Sequence, residues 1–200
     1  MLEPITTVEE FFAHAIAIER EAAGCYREFR EHFADRGEDV LAGLCANLAR
    51  FEQEHYELLL DRAKALALPE LPPDRYRWIE SGPPECADHA LVYRVATPRQ
   101  LLEIALKAER DAKRFFEWVS GTTASEEVHA MAAEMAREEA EHVQWVTRSL
   151  EYVRSDGVDW EMLLAAGGGP GLALGGERRI SREACPEGAG ATPRRKRKSG

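Results

Sequence analysis

Two stretches of the chain, FEQEHYELL at 51–59 and REEAEHVQW at 137–145, each set a glutamate three residues before a histidine: Glu52 with His55, and Glu139 with His142. Residues three apart on a helix share a face, so each pair brings a carboxylate oxygen and an imidazole nitrogen to one region. That donor set suits a divalent metal ion. The second pair lies on an apolar stripe of Val128, Met131, Met135, Glu139, His142, Val146, Leu150 and Val153, in steps of three and four. This is the period of a helix face turned into a core. A glutamate and a histidine on that face are either a buried hydrogen-bonded pair or half of a site.

The chain repeats this arrangement. AIAIEREAAGCYREF carries Glu19 and EIALKAERDAKRFFEW carries Glu109; aligning the two glutamates pairs Glu21 with Asp111, Ala22 with Ala112 and Tyr26 with Phe116. Aligning Glu52 with Glu139 pairs Glu54 with Glu141 and His55 with His142. Each half is thus a helix with one inward glutamate, followed about thirty residues later by Glu-x-x-His. The other stripes are Phe12, Ala15, Glu19, Ala22, Tyr26; Leu41, Leu44, Leu48, Glu52, His55, Leu59; and Leu102, Ala105, Glu109, Ala112, Phe116, Val119.

Four ionised carboxylates in one apolar core would each cost several kcal/mol, and no Lys or Arg stands on those stripes to pair with them. Two divalent cations would balance the four charges, with two neutral imidazoles completing the coordination. Iron, manganese and zinc all accept such a set. One Glu-x-x-His is common by chance; two in a duplicated order, each with a matched upstream glutamate, point to a dimetal site. The weaker alternative is a set of hydrogen-bonded acids left from a lost site.

The elements that must position these residues follow from the same pattern. A first amphipathic segment runs from about Val8 to His32, with Thr6 or Thr7 as its cap, and a second from about Asp39 to Leu66, stopped by the prolines at 69, 72 and 73. A connection of about 30 residues follows, rich in Trp, Tyr and Leu and read as an ordered crossover along the body. Thr97-Pro98 opens a third helix ending near Gly121, and Ser125 a fourth running to about Arg154, with a short turn at 158–165. The fold class is all-α: a four-helix bundle with a long crossover between its second and third helices.

At 200 residues, 31% charged and 8% aromatic, the chain has the length and balance of one globular domain. No apolar run approaches the ~20 residues of a membrane span. The acidic start MLEPITTVEEFF lacks a signal-peptide pattern, and the expected location is cytoplasmic. The four cysteines, at 25, 45, 86 and 185, form no CxxC and are read as isolated thiols. The domain division is a bundle at 1–166 and a tail at 167–200. The tail holds nine of the fifteen glycines and eight Arg or Lys against three Glu, so +5 sits on the tail and −15 on the body. It is expected to be disordered.

With these residues in place, the pattern Glu19 … Glu52-x-x-His55 … Glu109 … Glu139-x-x-His142 resembles the ferritin-like carboxylate-bridged di-iron proteins. AIEREAAGCY, FEQEHYELL, KAERDA and EEAEHVQW look most like the rubrerythrin branch. The resemblance covers roughly residues 5–155. It implies a ferritin-like bundle holding two iron ions, with Glu52 and Glu139 bridging or sharing that duty with Glu109, His55 and His142 each on one iron, and Glu19 terminal. Manganese or zinc would fit the same ligands. It implies a homodimer as well. Three departures qualify the match. No paired CxxC motifs of a rubredoxin module are present, so the electron donor would be separate. The extra carboxylate that rubrerythrins carry one turn beyond the third-helix glutamate is Ala112 here. Gln53 stands where bacterioferritins carry a haem-ligating methionine, so no haem is expected.

The leading functional expectation is a non-haem di-iron oxidoreductase, an enzyme reacting with O2 or H2O2 in oxidative stress or iron homeostasis. The alternatives are a ferroxidase that handles iron, and a non-catalytic scaffold or interaction protein with a basic tail. Tyr26, seven residues beyond Glu19, is read first as a core aromatic and second as a hydroxyl donor beside the metals. The remaining histidines, at 14, 32, 89 and 129, lack an acid partner at ligand spacing and are expected on the surface or near the site without binding metal. The PRRKRK run is read first as a solvated tail drawn to the acidic body. Contact with a nucleic acid, or docking to a protein shell through GPGLALGGERR, are the lesser readings.

Overall fold

The computed structural model describes residues 2–80, 82–85 and 92–153. Four long helices carry the described chain: α1 (Val8–Asp35), α2 (Asp39–Ala63), α3 (Pro98–Thr122) and α4 (Glu126–Tyr152). Among the described residues there is no strand, and the crossover contains one short 3-10 turn, Pro73–Arg75. The anticipated tail at 167–200 and turn at 158–165 lie outside the described residues, as do Cys86, His89 and Cys185.

Local chemistry sets the helix ends. Thr7 caps α1 by accepting the Glu10 N–H at 3.2 Å, and Glu9 and Glu10 place negative charge at the helix's positive end. At its other end Gly37 takes φ +73°, the left-handed conformation that costs glycine least. The Gly37 and Glu38 N–H groups donate back to Ala34 and Phe33 carbonyls at 3.0 and 2.9 Å, turning the chain straight into α2. Thr97 and Gln100 form a reciprocal capping box that spans Pro98 in the first helical position, and Ser125 caps α4 through the Val128 N–H. The expected second helix ran to Leu66; α2 ends at Ala63. There the chain tightens into a turn, with Leu66 N–H bonded to Ala63 O at 2.8 Å, and Leu66 and Leu68 pack onto the core.

Helix α1 packs along α2 and α3 along α4, and the two hairpins close on one another. The core is divided. One apolar cluster gathers Tyr26, Phe29, Phe33, Leu41, Leu44, Leu48, Leu101, Leu102 and Val146. The other gathers Phe11, Phe12, Ile18, Leu59, Phe115, Phe116, Val119, Val128 and Met135. Every helix crosses from one cluster to the other, and on every helix the crossing point is a buried glutamate or Glu-x-x-His pair. The crossover makes the same journey outside: Trp78 packs on the second cluster, while Val92 and Val95 belong to the first.

His14, expected at the surface or near the site, is instead a fully buried anchor for the crossover. Its Nδ1 lies 2.8 Å from Glu10 O, and its Nε2 accepts the Arg77 backbone N–H at 3.0 Å. Its ring also packs between Tyr76, Trp78 and Phe115. Burial pulls its pKa down, so the neutral ring is favoured. The Arg77 guanidinium adds bonds to Pro4 O and Glu10.

Candidate metal centre

Between the apolar clusters the four helices deliver Glu19, Glu52, His55, Glu109, Glu139 and His142 to one layer. Each is at most 7% exposed. Glu19 and Glu109 come singly from α1 and α3, and the two Glu-x-x-His pairs from α2 and α4. Donor atoms of Glu19, Glu52 and His55 lie within 4.8 Å of one another, and so do those of Glu109, Glu139 and His142. The two triplets correspond to the two halves of the sequence repeat.

The polar atoms of this layer are poorly satisfied by protein. Both oxygens of Glu19 and Glu139, Glu52 Oε2 and His55 Nε2 are buried and make no hydrogen bond. His142 Nδ1 forms one with Glu109 Oε2 at 3.2 Å; Glu139 Oε2 is nearer, at 3.0 Å, but lies off the hydrogen-bonding direction. His55 Nδ1 is 3.8 Å from Glu19 Oε2, too far for a hydrogen bond. Buried carboxylates without donors are strongly disfavoured, whereas carboxylate oxygens and imidazole nitrogens converging on one point are the donors a divalent cation takes. The residues fit a metal ion.

Electrostatics carry the same message. Burial, followed by repulsion from Glu139 and Glu52, pushes the Glu19 pKa well up; burial and then Glu109 do the same to Glu52. Burial raises Glu139 to about 7, with the neighbouring His142 opposing the rise. His55 is held down at about 3 by burial and by His142. For His142 burial favours the neutral ring, but Glu139 and Glu109 outweigh it and lift the pKa well above the usual histidine value.

Glu85 was not foreseen from the sequence. It lies in the crossover, is 3% exposed, and has both carboxylate oxygens unbonded. Its donor atom lies within 4.8 Å of Glu19 and Glu139, one glutamate from each half. Burial, then Glu19 and Glu139, force its pKa well up. Because it stands on a non-periodic segment, its spacing carried no signal; an acid between Pro84 and Cys86 was the only hint.

Tyr26 is fully buried with its hydroxyl unbonded, packed edge-on against Phe29. Burial first, then Glu109 and Glu52, raise its pKa well above the phenol value, so it remains a neutral hydroxyl. Asp111 faces away from the layer and pairs with Lys107. Gln53 is on the outer face, bonded to Arg27 and Glu57, and Ala112 is apolar core. Cys25 and Cys45 are buried, and burial raises the Cys45 thiol to about 12, which leaves it unreactive. No helix among the described residues is long and apolar enough to cross a membrane.

Fold and site together define a ferritin-like four-helix bundle with carboxylate–histidine groups able to hold metal. A scan against models of known protein families returns no match, nor does a search of curated proteins. Among solved structures, the chain is similar to an uncharacterized conserved protein from Magnetospirillum magnetotacticum MS-1, whose crystal structure was determined at 2.00 Å. The two are 31% identical over 76% of this chain and 99% of that one, with a TM-score of 0.56. The chain belongs to the same family of conserved proteins, and its fold is a ferritin-like four-helix bundle.

Proposed function

We propose that this protein is a non-haem di-iron oxidoreductase that reduces O2 or hydrogen peroxide, with electrons returned by a separate donor. The observation that carries the reading is the pair of buried Glu, Glu, His triplets whose donor atoms converge, with both oxygens of Glu19 and Glu139, Glu52 Oε2 and His55 Nε2 left without a hydrogen bond. Glu19, Glu52 and His55 would hold one ion, and Glu109, Glu139 and His142 the other. Iron bound there supplies reversible one-electron chemistry at each ion.

The protein's own contributions are positioning, charge balance and exclusion of water. Four carboxylates from the repeat offset the charge of two divalent cations, which explains acids in an otherwise apolar core. The clusters above and below keep bulk water out and strengthen every electrostatic contact within. Tyr26, kept neutral by burial and by the nearby Glu109 and Glu52, would offer that layer its unbonded hydroxyl as a hydrogen-bond donor.

The test is metal content per chain after anaerobic Fe(II) loading and desalting, for wild type beside Glu139→Ala/His142→Ala. The expected result is two irons in the wild type and loss in the double variant, followed by faster oxidation of the loaded protein by peroxide or O2 than of free Fe(II). Failure of the wild type to retain iron sinks the reading. Retention of zinc or manganese alone would keep a metal site and remove the redox function.

A further inference from the structure

We propose that Glu85 is a fifth carboxylate ligand of the metal centre, supplied by the crossover and placed between the two half-sites. The inference rests on the metal-centre reading above and adds a residue outside the sequence repeat.

Three observations converge on it. The first is position: Glu85 reaches Glu19 of one half and Glu139 of the other, so it addresses both triplets at once. The second is isolation, since an acid on a loop is normally free to turn to water, yet both Glu85 oxygens are buried without a hydrogen bond. The third is that its segment is tied down on both sides. Upstream, Arg77 and His14 join the crossover to α1, and Glu80 pairs with Arg114 of α3. Downstream, Val92 and Val95 are set into the apolar cluster, and the Ala96 N–H is bonded to Gln100. A chain that runs from one cluster to the other must pass the polar layer, and among its described residues Glu85 is the one presented there.

Glu85 also breaks the symmetry of the repeat. The two-fold relation that exchanges Glu19 with Glu109 and Glu139 with Glu52 would require a matching carboxylate beside Glu109 and Glu52. Among the described residues no such third acid joins that pair. Among the described residues the two faces of the centre therefore differ: one carries the Glu85 carboxylate, and no matching acid stands on the other. Five carboxylates exceed the charge of two divalent ions by one, so Glu85 favours a centre of higher positive charge over one with two divalent ions.

The experiment uses Co(II), whose visible absorption reports coordination number without any turnover. Wild type, Glu85→Gln, Glu85→Ala and Glu139→Ala/His142→Ala are titrated with Co(II), and apo helicity is recorded for each. Glu85→Gln keeps the shape and removes the anionic donor; Glu85→Ala removes both. The expected result is that both Glu85 variants keep the apo helix content and two binding events. One of these weakens about tenfold or more, the loss typical when groups supporting a metal site are removed. The Co(II) bands should also grow more intense as coordination falls. Wild-type binding with an unchanged titration and spectrum in both Glu85 variants overturns this inference alone and leaves Glu85 as a protonated plug. Absence of Co(II), Fe(II), Mn(II) and Zn(II) binding by the wild type overturns it together with the metal-centre reading.

Discussion

His55 and His142 lie face to face at the centre of the bundle, ring centroids 4.6 Å apart and planes 20° from parallel. They occupy equivalent positions in the two sequence halves, yet their proton affinities are driven in opposite directions. His142 has Glu109 and Glu139 at 3.2 and 3.0 Å. The nearest acid to His55 Nδ1 is Glu19 at 3.8 Å, and the cationic tendency of His142 lies against its ring. The proton is favoured on His142, and after burial it is this neighbour that lowers the proton affinity of His55.

Stability of the metal-free protein should therefore fall as pH rises from about 5 to 8. Glu139, raised to about 7, is still protonated in the folded chain where the unfolded carboxyl has ionised, so unfolding releases a proton and rising pH favours it. Glu19, Glu52 and Glu85 are raised too and act in the same direction. His142, also raised, contributes stability below the ordinary histidine pKa that is lost above its folded value. His55 opposes them: lowered to about 3, it favours folding increasingly as pH climbs from about 3 to 6.5 and adds nothing further above that. Thermal melts in chelator from pH 5 to 8 should show a falling Tm. Saturating metal should reverse the slope, because binding requires the protons to leave. A metal-free Tm that rises across this range would contradict the acid-dominated layer.

Glu19→Met should stabilise the metal-free protein while destroying a half-site. Glu19 is fully buried with both oxygens unbonded, and its α1 neighbours Ala15 and Ala22 are themselves buried core residues. Replacing it by an apolar chain of similar length removes a desolvated acid, and the gain at pH 7.5 should be about 1–3 kcal/mol. Denaturant unfolding in chelator measures the gain, and metal content measures the loss. A destabilised variant would mean that Glu19 has a protein partner after all.

The six repeat-borne residues were legible because helical period leaves little choice: a residue on a stripe with Leu44, Leu48 and Leu59 must enter the core. Helix starts at Thr97 and Ser125 were equally plain, since caps are local chemistry, and the first helix left only a choice between Thr6 and Thr7, which the structure settles as Thr7. Glu85 and His14 were not. His14 stands among the apolar residues of FFAHAIAI, yet the lack of an acid partner at ligand spacing placed it at the surface or near the site. Its partner, the Arg77 backbone N–H, lies sixty-three residues away on a segment without period. What a crossover buries depends on the path between its anchors, and that path is set by the finished bundle.

Tyr26→Phe should leave stability unchanged or slightly raised, because the hydroxyl it deletes is buried and makes no hydrogen bond. The ring, packed on Phe29 within the cluster, is retained. Metal stoichiometry should match the wild type. If the hydroxyl serves the layer, oxidation of the Fe(II)-loaded protein should slow severalfold in stopped-flow traces while Tm holds. Equal rates would make Tyr26 a core aromatic and nothing more.

His14→Ala tests whether the crossover is held from α1. The substitution removes a fully buried ring, its contacts with Tyr76, Trp78 and Phe115, and bonds to Glu10 O and Arg77 N–H. A cavity of that size with an orphaned backbone donor should cost about 2–4 kcal/mol. Hydrogen exchange should locate the damage: faster in the 76–85 segment, while the α2 and α4 amides around Glu52 and Glu139 exchange with only the global change. Since Glu85 rides on that segment, the variant should reproduce the altered Co(II) spectrum of Glu85→Gln although His14 is no candidate ligand. Destabilisation with an unaltered spectrum would mean that the downstream anchors, Val92 and Val95, suffice to hold Glu85 in place.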